Sequence, residues 1–398
     1  MDVYIQQDKF HQIILRRYRI AKLNKSTQTI RRLLCYYQEL ACSAYPTEAK
    51  MSLALGELYD AKFQVSLTSF GSYSLLVYSL IAVDPCYIED DEYTLEKLES
   101  VFEEFLCPKM NKGQANPTLF QRAYEIYESD LLTLLEDTQG IAYQNAILEY
   151  FKGTERDFLN YGSLEELRKL TPKNLFEYYQ KVSEEETISI CTGHVPSIEK
   201  QDGISLTPKR NYHFKERGNS EVVIKVPFPS EQCYLCMIYD VGIYAENKEY
   251  YACMFLNHIL GGGSSSYLFK IVREKYGLCY SIHSTYLGAT GIIVISCVLD
   301  STLLKQGIEA IDEAISSMDN LDFELEETRK YYLSNHALGE DYIETAIQNY
   351  LGDNFFLDTP KSTSEVKGFQ SVTKEEVKKV YKHLKKSFTY ILGGKDGK

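Results

Sequence analysis

The sequence has 398 residues and a formal net charge of −13, with 44% hydrophobic and 25% charged residues. This length exceeds what one hydrophobic core usually serves, so we expect two domains of about 200 residues. The acidic balance argues against a nucleic-acid partner, which requires clustered Lys and Arg. No run approaches the roughly 18 apolar residues of a membrane helix, so a soluble protein with no membrane partner is expected.

The N-terminus, MDVYIQQDKF, lacks the basic and apolar segments of a secretion signal, so the expected compartment is the cytoplasm. Reduced thiols are expected there for the ten cysteines. The single C-x-x-C, Cys233 to Cys236, lies in a strand-like run and has no second pair that would complete a zinc site. These cysteines are therefore predicted to be buried strand residues.

Hydrophobic periodicity and turn residues predict the elements of the first half. In chain order they are a strand over 12–20, helices over 29–40 and 48–60, a hairpin over 63–80 and a helix over 94–106. Thr171 is expected to cap a short helix that leads into a strand ending at Gly193.

The second half follows a segment with two prolines, two glycines and a weak apolar pattern at 196–218, which predicts a linker over 201–216. Beyond it the expected elements are strands over 221–228 and 233–242, helices over 249–260 and 265–277, a hairpin over 279–299 and a helix over 303–318. A short helix capped by Thr373 and a final strand complete the chain.

The two halves form a repeat. The run LTPKNLFEYYQKVSEEETISICTG at 170–193 returns as VTKEEVKKVYKHLKKSFTYILGG at 372–394, about 202 residues later. The upstream elements match in type and order. The predicted fold class is therefore α+β, with two homologous lobes at 1–200 and 217–398, each a mostly antiparallel sheet covered by helices.

Motifs for autonomous catalysis are missing. Neither H-E-x-x-H nor H-x-x-E-H occurs, and there is no G-x-S-x-G elbow. The segment GGGSSS at 261–266 does not have phosphate-loop spacing. One of its glycines is expected to be a left-handed C-cap, and Ser264 to cap the next helix. Arg273 then lies in the last turn of that helix and Tyr280 at the start of a strand, where both side chains can reach one cleft.

The segment from 260 to 281, with L-G-G-G-S-S-S-Y-L-F followed by I-V-R-E-K-Y-G-L-C-Y-S, resembles the L-G-G-G-x-S-S-x-L-F and I-R-E-K-x-G-L-x-Y-S segment of the pitrilysin/insulinase family of zinc peptidases. The order and spacing are similar to its YmfF-like branch. This resemblance implies paired α+β lobes and, at the positions of Arg273 and Tyr280, a pair that holds the substrate near a zinc ion.

Active members of that family carry H-x-x-E-H on an early helix of the first lobe. At the equivalent positions this chain has Arg32, Cys35 and Tyr36. The resemblance therefore implies no metal ligands, no cofactor in this chain and no hydrolysis by the chain alone.

Two functions remain open. In the first, the chain is the non-metal subunit of a heterodimeric peptidase, where it contributes Arg273 and Tyr280 to peptide binding and to the transition state, while a homologous partner holds the zinc. In the second, it is a catalytically inactive scaffold or interaction protein of the same fold.

Overall fold

The computed structural model describes residues 1–70, 73–154, 156–158, 161–195, 198–199, 221–320, 325–356 and 364–394. The predicted linker at 201–216 lies outside the described residues. The lobe boundaries at 200 and 217 therefore stay a prediction. Within the described ranges, no helix combines the length and the apolar character needed to cross a bilayer.

The first half of the chain forms helices and strands in an alternating order. They are β1 (Val3–Gln6), β2 (Gln12–Lys22), α1 (Gln28–Leu40), α2 (Glu48–Glu57), β3 (Lys62–Phe70), β4 (Tyr73–Val83), α3 (Leu95–Phe105), β5 (Met110–Asn111), β6 (Gln114–Ala115), α4 (Pro117–Leu134), α5 (Thr138–Tyr150), α6 (Leu164–Leu167), α7 (Pro172–Val182), β7 (Glu186–Gly193) and β8 (Ile198–Glu199).

The second half repeats this series. Its elements are β9 (Val222–Val226), β10 (Gln232–Asp240), α8 (Tyr250–Gly261), a π-helical turn (Phe269–Lys275), β11 (Cys279–Leu287), β12 (Ile292–Asp300), α9 (Leu304–Ser317), α10 (Leu325–Gly339), α11 (Glu344–Leu351), α12 (Glu365–Ser371), α13 (Lys374–Tyr381) and β13 (Lys385–Gly393). Short 3-10 turns and a second π-helical turn, Gly352–Phe356, join some of them.

Two sheets follow from this repeat, and their first five strands have the same order. The first has the order β3-β4-β2-β7-β1-β8 and the second β11-β12-β10-β13-β9. In both sheets the first three pairings are antiparallel. The pairings β7 with β1 and β13 with β9 are parallel. The predicted fold, two homologous α+β lobes, is confirmed.

Sequence patterns explain the main elements of each sheet. Strand β3 alternates exposed and buried residues, as expected for an edge strand, whereas β4 is buried along most of its length because it lies inside the sheet. The predicted caps are also confirmed. Thr171 accepts a hydrogen bond from the Asn174 N–H, and Thr373 forms a capping box with Glu376.

The chain divides into two compact units that exchange segments. The first unit holds the described residues within Met1–Leu134, Phe158–Asn211 and Glu340–Phe356, and the second holds those within Leu135–Asp157, Tyr212–Gly339 and Leu357–Lys398. Helix α11 therefore belongs to the first unit and α5 to the second. Neither helix is among the predicted elements.

The exchanged helices cover the second face of each sheet. On the first sheet, Ile343, Ile347 and Leu351 pack against strand residues such as Ile14 and Ile190. On the second sheet, three residues of α5 pack against the matching face: Ala142, Ala146 and Tyr150. Each unit is therefore a sheet buried on both faces, with one covering helix supplied by the other half of the chain.

Candidate functional site

The glycine- and serine-rich segment shapes the approach to Arg273. Gly262 has φ −86°, and none of the three glycines has the left-handed backbone that was predicted, so that prediction is wrong. The segment instead needs close contact, because a Cβ on Gly261 would lie 2.6 Å from the Ser284 backbone nitrogen. The helix cap is Ser266, whose Oγ accepts from the Phe269 N–H at 3.4 Å, and not Ser264 as predicted.

The helix that carries Arg273 ends in a π-helical turn, from Phe269 to Lys275. The Tyr276 N–H donates to the carbonyl of Ile271, five residues earlier, at 3.2 Å. Gly277 then closes the turn with φ +63°, as predicted for a helix-ending glycine. Such π-helical insertions are frequent at functional sites because they shift the side chains that follow.

Arg273 and Tyr280 lie together, as predicted from their spacing. The guanidinium carbon of Arg273 is 4.5 Å from the ring centre of Phe269 and 5.5 Å from that of Tyr280. These distances are in the range of cation–π contacts. Tyr280 is 88% exposed. The arginine is thus oriented by aromatic rings, and the tyrosine hydroxyl faces solvent.

Neighbouring side chains of the same turn are occupied. The Lys275 ammonium lies 2.6 Å from a carboxylate oxygen of Glu313 in α9, and the Tyr276 hydroxyl donates to the other oxygen at 2.7 Å. Within the described part of the chain, no carboxylate lies within 4 Å of the Arg273 guanidinium. One Arg/Tyr pair is therefore available to a ligand, while the adjacent Lys/Tyr pair is fixed to the fold.

Helix α1 holds the three residues predicted to replace metal ligands. The Arg32 Nη2 donates to the Leu67 carbonyl at 3.4 Å. The Cys35 thiol is buried, and burial raises its pKa to about 12. The Tyr36 hydroxyl donates to Asp130 of α4 at 2.7 Å, and its ring stacks on that of Tyr127 with centres 5.0 Å apart.

The same helix contacts the free edge of β3. Glu39 accepts a hydrogen bond from the Val65 N–H at 2.6 Å, and Arg32 reaches the Leu67 carbonyl two residues further along. Because β3 is the outermost strand of its sheet, these backbone groups point away from β4. Two positions where another strand could pair are thereby occupied by side chains of α1.

The chain is similar in sequence to known proteins. Residues 176–332 match the family model described as Peptidase M16 inactive domain. The predicted resemblance to the pitrilysin family is confirmed. The chain is 23% identical over 414 residues to the probable inactive metalloprotease YmfF of Bacillus subtilis strain 168, with 99% of this chain and 95% of that protein covered.

Solved structures share the fold over the whole chain. A conserved protein from Enterococcus faecalis V583 superposes with a TM-score of 0.89 at 24% identity, covering 99% of this chain and 96% of that one. A peptidase M16 inactive domain from Pseudomonas fluorescens gives 0.74 at 16% identity, with 98% and 95% covered.

Zinc does not fit the three positions that were predicted to replace metal ligands. Arg32 is a cation, Cys35 is a protonated thiol inside the core, and the Tyr36 hydroxyl donates a hydrogen bond to the Asp130 carboxylate. Across the described residues, no three His, Cys, Asp or Glu side chains are grouped so that they could hold a metal ion. Arg32, Cys35 and Tyr36 therefore contact neighbouring parts of the fold and do not form a set of zinc ligands.

The sequence pattern did not reveal a buried ion pair next to these positions. Arg31 is 1% exposed, and its guanidinium meets Glu185 with both nitrogen–oxygen contacts short, at 2.5 and 2.8 Å. It also donates to the Tyr178 hydroxyl and to the Arg19 carbonyl. The two partners are 154 residues apart in the sequence, so their pairing could not be read from a local pattern. The apolar neighbours of Arg31 on α1 indicate only that this side of the helix is buried.

A cavity of about 430 Å³ lies on the first sheet, lined by residues of β2, β3, β4 and the C-terminal end of α11. Among the described residues that line it, Arg16 is the cation, and the Arg16 Nε donates to the Ser79 Oγ at 2.8 Å. None of the predicted site residues of this M16-like chain lines it. The cavity was not foreseen because one of its walls is the exchanged helix.

Proposed function

We propose that this chain is the non-metal subunit of a two-chain peptidase, in which a homologous partner carries the zinc and this chain holds the peptide with Arg273 and Tyr280. One observation carries the proposal. Arg273 and Tyr280 lie beside each other, and among the residues that the structure describes no carboxylate binds the arginine, whereas Lys275 and Tyr276 in the same turn are both bound to Glu313.

The two side chains suit peptide hydrolysis. The Tyr280 hydroxyl can donate to the scissile carbonyl oxygen, where negative charge develops as the tetrahedral intermediate forms. The Arg273 guanidinium can bind a neighbouring substrate carbonyl and fix the peptide in place. Neither group generates a nucleophile. The hydrolytic water must therefore be activated elsewhere, which in this proposal is on the partner subunit.

Reconstitution with a homologue that carries H-x-x-E-H tests this function. In the complex, Tyr280→Phe should lower kcat by about 100- to 1000-fold, the usual effect of losing one oxyanion donor. Arg273→Ala should mainly raise KM. Both variants should bind the partner as tightly as the wild type does, because the apolar side of the turn, with Leu268 and Val272 fully buried, is unchanged.

Tyr276→Phe and Lys275→Gln are the matched controls, since they alter the same turn but lie on the pair that Glu313 holds. They should leave kcat and KM within about twofold of wild type. Wild-type turnover by a complex that contains Arg273→Ala together with Tyr280→Phe would refute the proposal.

A scaffold function is the second candidate, and the edge of β3 favours it. A peptide that adds to a sheet edge uses the outward N–H and carbonyl groups. Glu39 and Arg32 already bind these groups at Val65 and Leu67, so a substrate peptide cannot pair with β3 at those positions. A scaffold does not need that pairing. If the chain binds the homologue stably while the homologue alone is as active as the complex, this chain is a scaffold.

A further inference from the structure

Two cysteines meet beside Tyr280. Cys279 begins β11, and Cys297 lies in the neighbouring antiparallel strand β12. Cys279 is paired with Leu299 and Ile282 with Cys297, which requires a one-residue register shift between 279 and 282. Leu299 and Cys297 share one face of β12, so Cys279 and Cys297 are diagonal neighbours on the face that packs into the core. The two thiols are close enough to shift each other's pKa.

The two thiols differ in access and in charge state. Cys279 is half-buried, whereas Cys297 is 2% exposed. The hydrogen bond from Cys297 lowers the pKa of the Cys279 thiol against the effect of burial, and the positive charge of Arg273 lowers it further. The shared hydrogen bond and burial raise the pKa of Cys297, and the nearby thiols Cys233 and Cys236 add to this rise. Cys279 is thus the accessible nucleophile, and Cys297 is a protonated thiol behind it.

Exposure alone would select other cysteines. Cys86 and Cys107 are the exposed thiols within the described ranges. However, partial burial of its sulfur and a hydrogen bond with Asp84 raise the pKa of Cys86 to about 11. Since the thiolate is the reactive form, an exposed but protonated thiol reacts slowly.

We propose that Cys279 and Cys297 form a dithiol modification site that reacts with low-molecular-weight disulfides. The Cys279 thiolate attacks one sulfur of the disulfide R–S–S–R, breaks its S–S bond and releases one RS⁻. Cys297 then loses its proton to that RS⁻ and attacks the Cys279 sulfur, releasing the second RS⁻, which takes up a proton from water. The two cysteines are oxidised by two electrons, and the added disulfide is reduced to two thiols.

The product ties β11 to β12 at the register shift, and Tyr280 lies within that shift. Before the Cys279–Cys297 disulfide forms, the mixed disulfide on Cys279 places the substituent R of the added disulfide next to Tyr280 and Arg273. Oxidation therefore acts on the backbone that positions the exposed tyrosine. The effect of oxidation on Tyr280 follows from the strand pairing, so it is expected whether the chain works as a peptidase subunit or as a scaffold.

Glutathione disulfide, added to the reduced full-length chain at pH 8, tests the site. Cys279 should react faster than Cys86, because the thiolate is the reactive form, the pKa of Cys279 is lowered from its usual value and the pKa of Cys86 is raised to about 11.

Acid quenching, alkylation of the remaining thiols and peptide mass mapping give the readout. The wild type should yield a Cys279–Cys297 disulfide. Cys297→Ser should instead accumulate the glutathione adduct on Cys279, and Cys279→Ser should form neither product. Cys233→Ser is the matched control, since it removes a buried thiol of the same sheet face and should still form the disulfide. Faster modification of Cys86 or Cys107, or a lasting adduct on Cys279 in the wild type, would overturn the proposal.

Discussion

Replacing Glu185 by alanine should lower the free energy of unfolding by about 3 kcal/mol. The change leaves Arg31, whose side chain is 1% exposed, without its carboxylate, and breaking a buried ion pair from one side costs about 3–5 kcal/mol. We expect the low end of this range of destabilisation because the Glu185 side chain is 14% exposed, so water can reach the vacated position. The Tyr178 hydroxyl and the Arg19 carbonyl still accept from Arg31.

Urea denaturation followed by far-UV circular dichroism measures this loss. Glu103→Ala is the matched control, since it removes the carboxylate from Arg17 in a pair whose acid is 53% exposed. It should cost less than about 1 kcal/mol. The double variant Arg31→Met with Glu185→Leu should recover much of the loss, because it leaves no buried charge. Equal losses for Glu185→Ala and Glu103→Ala would show that the burial argument is wrong.

Three other outcomes are expected. After dialysis and a brief chelator wash, elemental analysis should find well below one zinc per chain, and a value close to one would contradict the account of Arg32, Cys35 and Tyr36. In urea denaturation, Ile347→Ala should cost about 2–5 kcal/mol, since Ile347 is fully buried against the first sheet, whereas a small loss would mean that the exchanged helix is loosely packed. Burial lowers the pKa of His258, so stability should fall as pH drops through about 6.5, where the unfolded histidine takes up a proton. His258→Gln should reduce that fall, and an unchanged pH profile would exclude His258 as its source.

Local signals predicted the main strands and the proximity of Arg273 and Tyr280. The β3 and β4 patterns follow from residue alternation and from burial on both faces, and both can be seen in a short window. The seven-residue spacing of Arg273 and Tyr280 spans one helix end and one turn. A prediction of their proximity therefore needed no long-range contact, and the 5.5 Å separation agrees with it.

Long-range packing was not predictable in the same way. The helix that carries Ile347 and Leu351 was not predicted, and its apolar spacing would not specify which sheet its buried face covers. The π-helical turn was likewise hidden, because the stripe Leu268, Ile271 and Val272 suits either an α-helical or a π-helical hydrogen-bond pattern. The pairing of Arg31 with Glu185 joins distant parts of the chain and leaves no local signal.

Because of the helix exchange, one face of the first sheet is covered only late in synthesis of the chain. Strand β7, which completes the main part of the first sheet, ends at Gly193, and the residues that cover its second face begin about 150 residues later, at Ile343. At typical translation rates the ribosome needs roughly 8 to 30 s to make that stretch. Throughout this interval the nascent first sheet presents the apolar face around Ile14, Val77 and Ile190 to its surroundings. That face is a natural target for a chaperone that binds the growing chain.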